Sequence, residues 1–144
     1  MATKRAFKRY IKDLDMQVTS AMPAAASTTV NGSALDLGAL TAQGSRPPNL
    51  ELISTIPALS TTILPNTRTM TITLQASDDS AFGSGVVDLA SLVLTGAGGV
   101  GIADVSELRA PIGMNNLRYV RQKIVSGAST TDASALNAVL NLVA

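Results

Sequence analysis

Met70, Ile72 and Leu74 alternate with Thr69, Thr71, Thr73 and Gln75, the period of two that a strand shows when one face is buried. Threonine is β-branched and suits the exposed side of a pleat. The run Ser77-Asp78-Asp79-Ser80 then stops the strand, because short polar side chains bond to nearby backbone and favour turns. A second clear alternation closes the sequence, where Leu136, Ala138, Leu140 and Leu142 are interleaved with Asn137, Val139, Asn141 and Val143.

Between and before these stretches the pattern is of short apolar segments set off by turn residues. Val30-Asn31-Gly32-Ser33, followed by Leu35-Asp36-Leu37, carries the Asn-Gly signal of a tight hairpin. Residues 41–49, with Gly44 and Pro47-Pro48, read as a loop, and residues 50–56 as a strand closed by Pro57. Ile63-Leu64 is a brief apolar piece ahead of Pro65-Asn66. Residues 86–94 are mostly apolar, broken at Asp88 and Ser91, and predict a strand buried on both sides. Residues 117–125 are rich in strand formers but put apolar groups on both faces among Arg118, Arg121 and Lys123, so periodicity does not choose the inward face. About eight short strands with scarcely any helical period after residue 16 predict an all-β fold, a jelly-roll-like β-sandwich over residues 30–144.

The first 29 residues read differently, as an N-terminal basic arm and linker. Phe7, Tyr10, Ile11 and Leu14 stand at i, i+3, i+4 and i+7, one face of a helix over residues 3–15. A helix this short is marginal in water and orders only against a surface. Residues 19–29 are almost wholly Ser, Thr and Ala with one Pro, a composition that predicts a linker with no clamp between arm and body.

Charge sharpens this division. The overall net charge is +1, yet Lys4, Arg5, Lys8, Arg9 and Lys12 are accompanied by no acid before residue 13, and the remainder carries six basic groups against all ten acids, a net −4. A basic arm on a mildly acidic body is expected. Only 3% of the residues are aromatic, so the core must be built from Leu, Ile, Val, Ala and Met. At 144 residues one domain is the simplest reading.

The sequence has no Cys and no His, which removes thiolate chemistry, disulfides, the usual zinc and haem ligands and imidazole catalysis. No serine nucleophile can be argued without a histidine to activate it. No run approaches the length of a membrane span, and Asp13 and Asp15 interrupt the place where a signal peptide needs an apolar segment, so the start reads as retained.

Leu92-Val93-Leu94-Thr95 followed by Gly96-Ala97-Gly98-Gly99-Val100-Gly101 matches the dinucleotide fingerprint G-x-G-x-x-G after a strand. Against it, Arg118, Tyr119 and Arg121 occupy the neighbourhood where the ribose-binding acid belongs, and too little chain follows for further βαβ units. The glycines read as a flexible surface loop. Asp78-Asp79 supplies two carboxylates where calcium wants six or more oxygens, so a turn is expected there. No metal and no cofactor are implied.

The order Asp36-Leu37-Gly38, then Thr71-Ile72-Thr73-Leu74-Gln75-Ala76-Ser77-Asp78-Asp79, then Leu117-Arg118-Tyr119-Val120-Arg121 and a final short strand resembles the head-decoration, or cement, proteins of tailed bacteriophages, of the short-tailed-phage jelly-roll type. The resemblance implies a structural virion protein without enzymatic activity. It implies assembly as a homotrimer on the capsid exterior, after synthesis in the host cytoplasm, bracing neighbouring major capsid protein subunits. Lys4, Arg5, Phe7, Lys8, Arg9, Tyr10, Ile11 and Leu14 are then the expected capsid-binding residues of the arm. No nucleic acid, membrane or small-molecule substrate is expected as partner. The rival is a carbohydrate-binding β-sandwich on the virion surface. Sugar platforms stack on exposed aromatic rings, and outside the arm only Phe82 and Tyr119 are available.

Overall fold

Among the described residues nine strands follow one another: β1 (Lys12–Ala21), β2 (Thr29–Asn31), β3 (Leu35–Asp36), β4 (Glu51–Ile56), β5 (Thr69–Ser77), β6 (Val87–Thr95), β7 (Ser106–Pro111), β8 (Tyr119–Ser126) and β9 (Asn137–Val143). They are seen in a computed structural model that describes residues 12–37, 50–112 and 117–143. One sheet has the order β1-β9-β4-β7. The other has the order β2-β8-β5-β6, with β3 also paired to β8. Every pairing is antiparallel. The first half of the chain pairs with the second half in reverse, β5 with β6, β4 with β7, β2 with β8 and β1 with β9. With β2 and β3 taken as one interrupted strand, this is the eight-stranded, two-sheet jelly roll.

The alternation seen in the sequence is the alternation of burial. Along β5, Met70, Ile72 and Leu74 are fully buried while Thr69, Thr71 and Thr73 are half-buried on the other face. Leu52 and Ile56 of β4, Val120 and Ile124 of β8, and Ala138, Leu140 and Leu142 of β9 complete the interior with Leu37, Leu59 and Leu64 from the connections. Each such side chain contributes about 1.5–3 kcal/mol when fully withdrawn from water. Two polar side chains sit among them. Ser54 Oγ donates to Gln122 Oε1 at 2.8 Å, and Gln122 Nε2 donates to the Ala138 carbonyl at 3.1 Å, joining β8 of one sheet to β4 and β9 of the other.

Four expectations need correction. Residues 12–15, placed in a helix by their spacing, belong instead to β1, which pairs from Lys12↔Val143 to Ala21↔Asn137. Residues 19–29 do not hang free. Thr19 to Ala21 continue β1, Met22 is buried and its N–H donates to Leu136 O at 2.9 Å, and Ser126 Oγ holds Thr28 N and Ala25 O. A sheet partner from the far end of the chain outweighs local composition here. The Asn31-Gly32 pair makes no hairpin, because β2 and β3 both pair with β8 and not with each other. Gly32 is required by close approach, since a Cβ there would meet Ser20 Oγ and the Gln122 backbone. Finally β6, read as buried on both sides, is an edge strand whose side chains are mostly exposed or half-buried. The loop expected over residues 41–49 lies outside the described residues.

The polar bridge gives a stability test. Gln122→Leu strands Ser54 Oγ and the Ala138 carbonyl in the core and is expected to cost about 2–3 kcal/mol in urea unfolding, since a buried polar group without its partner costs roughly 1–3 kcal/mol. Adding Ser54→Ala should restore part of it. Ser20 Oγ is buried with no hydrogen-bond partner among the described residues, so Ser20→Ala should be neutral or stabilising in the same measurement.

Candidate functional site

The two sheets share their ends. Residues 22–28 join Ala21 to Thr29 by a short connection, and β9 begins at Asn137 beside Ala21, so the Ala21, Thr29 and Ser126 ends lie together. At the opposite end stand Lys12, Val143, Glu51 and Pro111 of one sheet with Asp36, Tyr119 and Ser77 of the other. Asp36, Asp78 and Arg118 meet at this second end.

Three sequence segments meet there. Arg118 makes a bidentate ion pair with Asp36, Nε to Oδ1 at 2.8 Å and Nη2 to Oδ2 at 2.9 Å. Its backbone N–H donates to Asp78 Oδ1 at 3.0 Å, and its guanidinium carbon stands 5.2 Å from the centroid of the Tyr119 ring. The hydrogen bond and charge of Asp36, then the charge of Tyr119, push the Arg118 pKa further up, so this group is a permanent cation. The pair is about half exposed, where solvent screening leaves it little value for stability, and its planar fork geometry positions β3 on the start of β8.

A second network runs beside it. Asp88 Oδ1 accepts from Gln75 Nε2 at 2.8 Å, Gln75 Oε1 accepts from Arg121 Nε at 3.0 Å, and the Arg121 guanidinium covers the Phe82 ring at 4.2 Å. Phe82 is buried and has φ +54°, a conformation that bulky side chains rarely adopt and that needs support from its surroundings. The support is the turn before it. Asp79 accepts from Ala81 N–H at 2.9 Å and from Gly83 N–H at 2.9 Å, and its carbonyl accepts from Phe82 N–H at 3.0 Å. These backbone donors, Ala81 first, hold the Asp79 carboxyl below its usual range. Ser77 Oγ donates to Ser84 O and accepts from Asp79 N–H. The Ser-Asp-Asp-Ser run is therefore a turn, as expected, and the described residues hold no group of three or more metal-ligating side chains.

The glycine run is a structural loop and not a phosphate cradle, for β6 ends at Thr95 and β7 follows without a helix. It is also less free than expected. Gly96 and Gly101 are buried, a Cβ at either would strike the backbone of Leu64 and Pro65 or of Leu59 and Ser60, and Gly101 has φ +68°. Only Gly98 and Gly99 face open surroundings, with nothing nearer to a Gly98 Cβ than Asn66 at 3.4 Å. Among the described residues no helix is long and apolar enough to cross a membrane, which says nothing of strands.

Of the expected arm residues, Lys4, Arg5, Phe7, Lys8, Arg9, Tyr10 and Ile11 lie outside the described residues, and Leu14 falls within β1. The chain enters β1 at the charged end. The Arg121–Phe82 stack and the Gln75–Asp88 link were not anticipated from the sequence. The signal for the second was present in the alternation of β5, which puts Gln75 on the same face as the threonines.

No family model and no curated protein matches the chain. Among solved structures it is similar to a chain of desmodium yellow mottle tymovirus, with a TM-score of 0.43 and 9% identity over 87% of this chain and 79% of that one. So distant a likeness carries no argument about function.

Two tests follow from this geometry. Gly96→Ala and Gly101→Ala should each lower stability by about 1 kcal/mol or more, whereas Gly98→Ala should be nearly neutral in the same melting experiment. For Asp79, whose folded pKa is depressed, the stabilisation is present above the ordinary carboxylate range and is lost as pH falls through the lower folded value. The melting-temperature gap between the parent and Asp79→Ala should hold at neutral pH and shrink on acidification below about pH 4.

Proposed function

We propose that this chain is a structural virion protein that decorates the capsid exterior and stabilises it by bridging neighbouring major capsid protein subunits. One observation carries the reading. The three segments on which the resemblance to phage decoration proteins rests, Asp36-Leu37, Ser77-Asp78-Asp79 and Leu117-Arg118-Tyr119, stand far apart in the sequence and converge at one end of the jelly roll through Arg118. A set of loosely related motifs that folds into one hydrogen-bonded surface is more coherent than chance matches scattered over the fold. Lys12, the first described residue, stands at the same end, paired with Val143.

In this reading the arm supplies the anchor. Phe7, Tyr10 and Ile11 enter a groove between capsid subunits, and Lys4, Arg5, Lys8 and Arg9 meet acidic capsid surface, with an affinity that weakens as salt screens exposed charge. The carbohydrate reading is disfavoured by the rings themselves: Phe82 is buried beneath Arg121, and Tyr119 has the Arg118 guanidinium over its ring. Phe82 offers no open face on which a sugar could stack, and Tyr119 shares its ring with a cation.

Because β1 begins at Lys12, a truncation that keeps residues 12–144 preserves every described strand. It is expected to fold like the full chain and to bind capsids stripped of decoration at least tenfold more weakly in a sedimentation assay, with the full chain losing affinity between 50 and 500 mM salt, on the order of tenfold per few screened contacts. If full-length protein does not bind such particles at any salt concentration, the decoration role is wrong. If the truncation binds equally well, the anchor lies elsewhere on the molecule.

A further inference from the structure

A jelly roll leaves four sheet edges, and three of them here carry features that discourage pairing with another chain. β1 contains Lys12, Asp13 and Asp15; β7 contains Glu107, Arg109 and Pro111; β2 and β3 are only 3 and 2 residues long. Charge, proline and shortness are the ordinary means by which natural edges avoid association. β6 is neither short nor interrupted by proline, and it carries one charge, Asp88. It is 9 residues long, its sequence is Val-Asp-Leu-Ala-Ser-Leu-Val-Leu-Thr, and among the described residues it pairs with β5 alone. Its single charge, Asp88, is already held by Gln75.

Exposure singles out the same place. Among the described residues the exposed large apolar ones are Val86, Val87, Val93, Val100 and Val105. All five belong to β6 or to the segments that flank it, between residue 86 and the start of β7. Val93, at 55% exposed, is on the outer face opposite Thr71, while Leu89, Ala90 and Leu92 are only partly covered. The sequence pattern of this strand is that of one buried on both sides, and within the folded chain it is not buried.

We propose that the free edge of β6 is the self-association surface of this protein, pairing antiparallel with β6 of a second copy about a two-fold axis. The occupant is a second copy because the edge is mostly apolar and self-complementary, its one charge, Asp88, being bound by Gln75. Paired antiparallel about Ser91, the midpoint of β6, two strands keep their Asp88 side chains at opposite ends of the ladder while apolar Val and Leu meet their own kind. A 9-residue strand is about 30 Å long, and a ladder with its flanking valines covers on the order of 1,000 Å² in total, the lower bound for a specific interface. An isologous contact of this kind closes with two copies, against the three implied by the sequence resemblance, so the copy number is itself a readout. The inference does not depend on the virion role.

The test is a concentration series of the full chain by multi-angle light scattering, from 1 to 200 µM, with Val87→Lys/Val93→Lys alongside. Both positions are exposed in the single chain, so the double variant should melt at the temperature the parent shows when dilute enough to be monomeric, and only the parent's melting temperature should rise with concentration. The parent should approach twice the 14.7 kDa chain mass and the variant should remain monomeric throughout. Hydrogen exchange on the parent should show β6 amides, including those not bonded to β5, becoming at least tenfold more protected at high concentration. A monomer at every concentration, a trimer, or a dimer that survives the lysines would each overturn the proposal. A monomer that still binds stripped capsids would sink this edge contact and leave the decoration role standing.

Discussion

The hydrogen-bonded triangle of Gln122, Ser54 and the Ala138 carbonyl is the constraint from which most of the molecule's surface can be derived. An amide in the middle of a jelly-roll core is costly unless both of its ends are satisfied, and here the Oε1 is answered by Ser54 and the Nε2 by Ala138. Apolar side chains pack well in several neighbouring arrangements, whereas this triangle is complete only when β8 faces β4 and β9 in one register. It therefore acts less as a source of stability than as a selector among alignments of the two sheets, in a core that has few large aromatic anchors to do so by shape.

Directing Gln122 inward also decides everything on the outer face of β8. Side chains alternate along a strand, so Tyr119, Arg121 and Lys123 must point away from the core while Val120, Ile124 and Ser126 point into it. A slip by one residue would bury Arg121 and Lys123. With the register held, Arg121 reaches Gln75 and the Phe82 ring, and the start of β8 brings Arg118 against Asp36 and Asp78. The charged end of the sandwich is thus a consequence of a buried amide two turns of the pleat away. The Asp79 turn is its complement on β5, since the backbone donors gathered by that carboxylate hold Phe82 in its strained conformation under Arg121.

How far this could be read from the sequence depended on whether a strand's inward face is apolar and its outward face polar. β5 and the inner face of β9 satisfy that condition and were legible, and β4 was legible as a strand although Ser54 turns inward to Gln122. β8 was not, because Gln122 and Ser126 point inward while Tyr119 and Val125 point outward, so hydropathy alone cannot orient it. β1 was hidden for another reason. Its partner is β9, at the far end of the chain, and its alternation of Leu14, Met16 and Val18 with Asp15, Gln17 and Thr19 was overshadowed by the helical spacing of Phe7, Tyr10, Ile11 and Leu14. The Asn31-Gly32 pair misled because glycine serves two purposes, permitting unusual dihedrals and permitting close approach, and only the neighbour, Ser20, tells which. The charged cluster was half legible: its segments stood out, but that Arg118 joins them is a property of the fold.

The nesting of the strands also explains why β6 stands apart from the other edges. Ala76 and Val87 pair across a short turn, while Ala21 and Asn137 pair across most of the chain, with β4–β7 and β2–β8 between these extremes. Loop closure costs more entropy as the loop grows, and each pair that forms shortens the loop left for the next, so the least costly order of closure runs outward from the β5–β6 hairpin. The most apolar edge is then the one exposed from the earliest stage, and the charged edges of β1 and β7 are completed later. An edge so placed is hazardous in a chain that has no use for it, because bare hydrophobic strands invite pairing. Natural sequences block such edges with a single lysine or proline, and the other long edges of this molecule carry these very residues. Their absence from β6, in a chain that uses them elsewhere, is the physical reason to regard that edge as a contact surface and not as an unprotected flank.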